Sequence, residues 1–347
     1  MRRSSWIYLG IVVVLLALVL YLNRGGQPAD EDADRLVVYA YSSFPAETVA
    51  DRFAELHGAE LVFVAPGGSG GALSRLISEL ETGGSEADVF LGLADVSLGR
   101  ALDHDVFEPY DPALLSNLPD VPTELLVDPS QRLIPFDYGY VALVYDPARL
   151  GDLPVPGSLE DLTRPEYRGK IIAMDASSST GQVFLLWTIA EYGEDGYLDY
   201  WRRLLPNLLT ITNSWDTGYQ MFLNGEAPII VSYTTDKVWE ASGGAEPVHE
   251  VLLPRGQAYR YIELMGIVKG TKRRDLAHKF LDFVLSPEVQ SLITTENVMF
   301  PVNPKAPVPE VFSQYAVVPA DPVMIDPHLV HDRLEQWLRD WSRVITE

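Results

Sequence analysis

The chain has 347 residues, 47% of them hydrophobic, and a formal net charge of -23 from 26 Lys and Arg against 49 Asp and Glu. Its length supplies a large core and about two domains. Its charge repels a nucleic-acid backbone over most of the surface and favours a cationic or zwitterionic small ligand. There is no cysteine, which removes thiolate catalysis, thiolate metal sites, disulfides and a lipidated cysteine together.

The first element is an uninterrupted apolar run of 17 residues, Trp6 to Leu22, at the lower limit for crossing a bilayer as a helix. Arg2 and Arg3 precede it and belong on the cytoplasmic side. The best cleavage site after the run, before Asp30, has Gln27 where a small residue is wanted. We therefore expect residues 1–27 to be a membrane anchor or signal segment, with residues 6–22 tethering the protein uncleaved to the cytoplasmic membrane. An acidic tether over 28–35 follows, and all later residues belong outside the cytoplasm, in the periplasm.

From Leu36 the pattern alternates between strands and helices, which specifies a layered α/β fold. Strands are predicted at LVVYAY (36–41), ELVFVA (60–65), ADVFLGL (87–93), LIPFDYGYVALVYD (133–146), KIIAMD (170–175), LLTIT (208–212), APIIVSYTT (227–235) and IELMGIVKG (262–270). Asp137-Tyr138-Gly139-Tyr140 is expected to break the fourth of these. Helices are predicted at 46–56, 72–80, 182–190, 198–204, 217–224, 274–285 and 332–345.

Three stretches carry chemistry. DASSSTGQVFLLW (175–187) sets hydroxyls and a glycine before an apolar segment, the pattern of a helix N-terminus whose unpaired NH groups attract an anion or merely receive a cap. Gly67-Gly68-Ser69-Gly70-Gly71 matches the G-x-S-x-G of a serine hydrolase, with Ser69 as nucleophile. Only about two strands fit before it, however, and the upstream oxyanion segment is missing, so a loop of NH groups facing a cleft is the better reading. His328 and His331 stand at helical spacing, a weak signal for a metal. With no P-loop or dinucleotide fingerprint, a binder leads: no enzyme, no catalytic residue, no metal and no cofactor are expected.

Aromatic residues give the binder its character. Tyr41, Tyr138, Tyr140, Trp215, Tyr219, Tyr233 and Trp239 fall at or near strand ends. Ligands of open α/β sheets bind at the carboxyl ends of strands, and aromatic faces with carboxylates suit an aromatic organic cation.

FDYGYVALVYD, the DASSSTG segment running into LLW, WDTGYQMFLNGE, VSYTT, MFPVNP and the closing WLRDWSRVIT resemble, in order and spacing, the thiamine-binding solute receptors of ABC importers. The resemblance covers residues 36–345. It implies a two-lobed type II periplasmic binding protein, with residues 36–137 and 260–347 as the first lobe and 138–259 as the second. It also implies hinge closure on thiamine or its phosphate esters in the interlobe cleft, and delivery to an ABC permease. A monomer is expected. Carried over by position, Ser178, Ser179 and Thr180 with Gly181 hold the phosphate or hydroxyethyl end, Tyr41, Trp215 and Tyr233 form aromatic walls, and Trp239 adds a further ring. The sequence departs from the family in three places. Glycine replaces its acidic residue in APGGSGG, Val298 replaces a tryptophan, and a tryptophan is absent near Thr48. Same-fold receptors for ferric ion or a polyamine are the alternatives; the first needs clustered tyrosines, and Tyr138 and Tyr140 are expected on opposite faces of their strand.

Overall fold

A computed structural model describes residues 34–41, 44–66 and 69–347. The expected anchor, residues 6–22, and the tether up to residue 33 lie outside the described residues. Among the described residues no helix is long and apolar enough to cross a membrane.

The most apolar segments form the middle of one mixed sheet. β1 (Arg35–Tyr39) and β3 (Val89–Ala94) are buried almost throughout and pair in parallel, as strands covered on both faces do. β2 (Glu60–Val64) flanks them, with β4 (Phe107–Glu108) paired to the strand Tyr259–Val268. The far end repeats the arrangement: β6 (Ile171–Met174) pairs in parallel with β7 (Leu208–Thr212) and β8 (Ile229–Tyr233).

Two long antiparallel strands join these halves, β5 (Leu133–Tyr145) and β10 (Tyr259–Val268), giving the order β2-β1-β3-β10-β5-β8-β6-β7. Two short strands, β9 (Glu250–Leu252) and β11 (Phe300–Pro301), add to β5. Contrary to expectation, β5 runs unbroken through Asp137 to Tyr140. Its backbone is laddered on both sides there, to β10 and β11. Gly139 fits because a Cβ would lie 2.5 Å from Met299 Cε.

Helices cover the sheet. α1 (Ala46–His57) buries Val49 and Phe53, one turn apart, and ends at Gly58, whose φ of 66° suits a left-handed cap. α2 (Ser69–Glu81) follows β2. The two helices predicted over 182–204 are one element, α3 (Ser179–Leu204), interrupted at Gly193 with φ 71° and ψ 172°, a conformation natural only to glycine. α4 (Trp215–Leu223), α5 (Asp236–Ser242) and α6 (Arg274–Val284) complete the cover.

The C-terminal part touches both halves. Helix Glu310–Tyr315 packs on α5, and Val317 N donates to Thr234 O. The last helix, α7 (Pro327–Thr346), sets Trp341 edge-on to Trp201 of α3 at 5.4 Å and directs Trp337 Nε1 to Glu194. On its other side His331 faces Asp103 in helix Leu98–Asp103.

Candidate functional site

Four chain reversals after parallel strands converge on one place. After β1 comes Tyr41; after β6 comes the hydroxyl run; after β7 come Asn213 and Ser214; after β8 come Tyr233 to Asp236. Together with β10 and the Glu296–Met299 turn they enclose a cavity of about 480 Å³. The arrangement follows the rule that open α/β sheets bind ligands beyond their strand ends.

Seven of the eight residues expected at the site line this cavity: Tyr41, Ser178, Ser179, Thr180, Trp215, Tyr233 and Trp239. Gly181 does not. It lies buried behind them, where an added Cβ would stand 2.1 Å from the Asp175 carbonyl oxygen. Trp239 is at the rim, 47% exposed. Tyr41 lies against Gly92, a bulge residue of β3 with φ 99°, whose Cβ would collide with the tyrosine ring.

Two hydroxyls of the run also have protein partners. Ser178 caps α3, its Oγ accepting from Gly181 N at 3.2 Å and donating to Asp175 O at 2.8 Å. Thr180 Oγ1 is hydrogen-bonded to Tyr233 OH at 2.5 Å. The plain cap reading is therefore right for Ser178, and Thr180 positions an aromatic wall.

That wall is a braced corner. Trp215 stacks on Tyr219 at 4.5 Å and meets Tyr233 at 5.8 Å, which in turn faces Tyr261 at 5.9 Å. Trp215 Nε1 donates to Ser232 Oγ at 3.0 Å, Ser232 donates to Asp236 Oδ2 at 2.9 Å, and Tyr219 OH donates to Asp236 Oδ1 at 3.1 Å. Burial pushes the Asp236 carboxyl up to about 7, against the lowering effect of the Ser232 hydrogen bond.

The lining residues include four carboxyls, Asp216, Asp236, Glu263 and Glu296, and among the described residues no Lys, Arg or His. A cavity walled by rings and carboxyls attracts an organic cation. Asp236, Glu240 and His249 also bring potential metal-ligating atoms within 4.8 Å of one another. Protein partners hold them: Glu240 Oε1 meets His249 Nδ1, and Glu240 Oε2 accepts from Val248 N and His249 N.

Tyr138 and Tyr140 lie elsewhere. Expected on opposite faces, they share one, because alternate residues of a continuous strand point the same way. Both rings pack on Phe300, at 5.3 and 5.5 Å, and neither lines the cavity.

A family model of bacterial extracellular solute-binding proteins matches residues 85–318. The chain belongs to that family. The thiamine-binding periplasmic protein of Brucella abortus biovar 1 is 31% identical over 335 residues, 94% of this chain and 97% of that one. The thiamine-binding periplasmic protein of Escherichia coli K12 is 31% identical over 90% of this chain and 93% of its own. Among solved structures, a periplasmic thiamin binding protein superposes with a TM-score of 0.80 at 30% identity, covering 90% of this chain and 96% of that chain.

As a solute-binding protein the chain has the two-lobed fold of that structure and acts outside the cytoplasm. Its relatives are binding proteins, not enzymes, so the hydrolase alternative at Ser69 falls. Among the described residues only β1 and β2 precede Ser69; its side chain lies outside them.

Several residues of the cavity were not singled out from sequence. Tyr261 and Glu263 alternate along β10, and Asn297 stands in the turn just before Val298, the position noted for its missing tryptophan. A lone Glu in the strand IELMGIVKG, and Asp137 in LIPFDYGYVALVYD, were signals: carboxyls in central strands need a reason to be there. Val298 carries a left-handed backbone, φ 56°, which is costly for a β-branched residue.

Proposed function

We propose that this solute-binding protein is the receptor of an ABC importer that captures thiamine or its phosphate esters between two lobes and delivers it to a membrane permease. The carrying observation is the cavity wall, which among the described residues offers aromatic faces and carboxyls and no basic side chain. That chemistry fits an aromatic cation; the relatives named as thiamine-binding support the same ligand. Ser179 at the start of α3 is the hydroxyl best placed for the polar end of the ligand, beside backbone NH groups of the helix.

The lobe division we propose is 36–137 with 260–347 against 138–259. The hinge then falls on the bulged middle of β5 and β10, where the register shifts between Glu263 and Leu264. The segment near 310–325 crosses onto the second lobe before α7 returns. The chain works as a monomer in this reading.

Thermal unfolding of a soluble form beginning at Ala33 tests the ligand. Thiamine at about 100 times its Kd is expected to add about 2.7 kcal/mol of stability. Ferric ion and spermidine are expected to add none. A shift with either of these and none with thiamine would overturn the proposal.

We further propose that residues 6–22 anchor the receptor uncleaved, on the strength of the apolar run and the arginines before it. Membrane fractions are expected to retain the full-length chain after alkaline carbonate extraction. A soluble mature protein starting near Asp30 would refute the anchor. Confinement to the membrane plane raises the effective concentration of receptor at its permease.

A further inference from the structure

The floor of the cavity holds a feature that the aromatic wall does not explain. Asp137 on β5 and Glu263 on β10 stand directly opposite each other in the antiparallel ladder, next to the point where the register shifts. Both are buried, Asp137 completely, and Glu263 lines the cavity. Asn297 Nδ2 donates to Asp137 Oδ2 at 2.7 Å and to Tyr41 OH at 2.8 Å. No donor among the described residues reaches Asp137 Oδ1, and the group beside this carboxyl is the carboxyl of Glu263.

Other groups around the pair do not supply positive charge. From the elements packed against it come the hydroxyls of Tyr41, Tyr233 and Tyr261 and the carboxyl of Asp95. Arg260, nearby on β10, acts on Asp95 and on Tyr138 and Tyr140 rather than on the pair. Two carboxyls this close and this buried do not both ionise; they hold at least one proton between them. Accordingly, burial pushes Glu263 up to about 7, and burial together with the Glu263 charge pushes Asp137 well above the usual carboxylate range.

We infer that Asp137 and Glu263 are a proton-exchanging counterion for the cationic ring of the ligand, releasing one proton to solvent when the cation enters and keeping a second shared between them. The inference rests on the proposed reading of the ligand as an organic cation. It gives the hinge a chemical role, since the pair sits where both crossover strands pass between the lobes. The only bond broken is the carboxyl O–H, and the ligand's fixed positive charge replaces the departing proton.

The signs follow from linkage. A carboxyl raised in the folded state binds more protons there than in the unfolded chain. The unliganded receptor therefore loses stability as pH rises from the ordinary carboxylate value of 4.5 to about 7. Cation affinity moves the opposite way. It is expected to rise about tenfold per pH unit below 7 and to level off above it.

Calorimetric titration in buffers of different ionisation enthalpy counts the protons. The probes are thiamine and a neutral analogue in which thiophene replaces the thiazolium ring. The analogue keeps the aminopyrimidine, so any protonation there is common to both. At about pH 6 we expect close to one proton released per thiamine, at about pH 8.5 almost none, and none at either pH for the analogue. Glu263→Gln is expected to abolish the release, to weaken thiamine by about 10- to 100-fold at the higher pH and to leave the analogue unchanged. If this variant fails to fold, the comparison of thiamine with the neutral analogue on the wild-type receptor remains the test. Thiamine binding without proton release, or with equal release for the analogue, would overturn the inference and leave the ligand reading standing. No thiamine binding at either pH would overturn both.

Discussion

Trp215→Ala is expected to weaken thiamine, thiamine monophosphate and thiamine diphosphate by the same factor, about 30- to 150-fold in Kd, or 2 to 3 kcal/mol. A half-buried ring that is stacked on Tyr219 and held through Nε1 by Ser232 has little freedom to lose when a ligand arrives. Its face is therefore available to a cationic heterocycle at small entropic cost. The heterocycle is common to all three forms, so the phosphate cannot alter the loss. Trp239→Ala serves as the contrast. That ring is 47% exposed at the rim, and its removal is expected to change Kd less than about threefold. Calorimetric titrations of both variants decide the matter. A loss confined to the phosphorylated forms, or a larger effect at Trp239 than at Trp215, would show that the ring corner is not where the cation sits.

The corner was legible in sequence to the extent that its members follow strands. LLTIT and APIIVSYTT read as strands, and a Trp or Tyr at or just past the end of such a run has to emerge at a carboxyl end. Trp215 and Tyr233 were found this way, and the hydroxyl run as a helix N-terminus ahead of an apolar segment. Residues inside the crossover strands were harder to find, because β5 and β10 read as core strands and their cavity face depends on tertiary pairing. Asp137 and Glu263 come opposite each other through a register set by a bulge at Phe136, and no local pattern predicts a bulge reliably. The supposed break at Asp137 to Tyr140 failed for the same reason. Polar and glycine residues that would end an edge strand are tolerated in one laddered on both sides. For Ser178 and Thr180 the residue types were informative and their targets were not: one hydroxyl caps its helix and the other holds Tyr233.

Gly181→Ala is expected to do more damage than any removal of a hydroxyl from the run beside it. An alanine Cβ would lie 2.1 Å from Asp175 O and 2.5 Å from Met174 O, both backbone atoms. Neither can yield cheaply. Asp175 O accepts from Ser178 N and Ser178 Oγ, and Asp175 N donates to Thr212 O across to β7. Relief of the clash has to move the start of α3 away from β6, taking the Ser178 cap and the Thr180 support of Tyr233 with it. Unfolding free energy should fall by about 3 kcal/mol, at the upper end for overpacking. Affinity for every thiamine form should fall with it. Gly196→Ala, on the same helix and half-exposed, meets only Tyr192 Cβ at 3.3 Å. There the ordinary helix preference for alanine should leave stability unchanged or raise it by up to about 1 kcal/mol. Chemical denaturation of the two variants reads the difference directly. A Gly181→Ala protein within 1 kcal/mol of wild type would mean that the loop relaxes around the methyl group, and it would remove the close approach of α3 to β6 as the reason for glycine at this position.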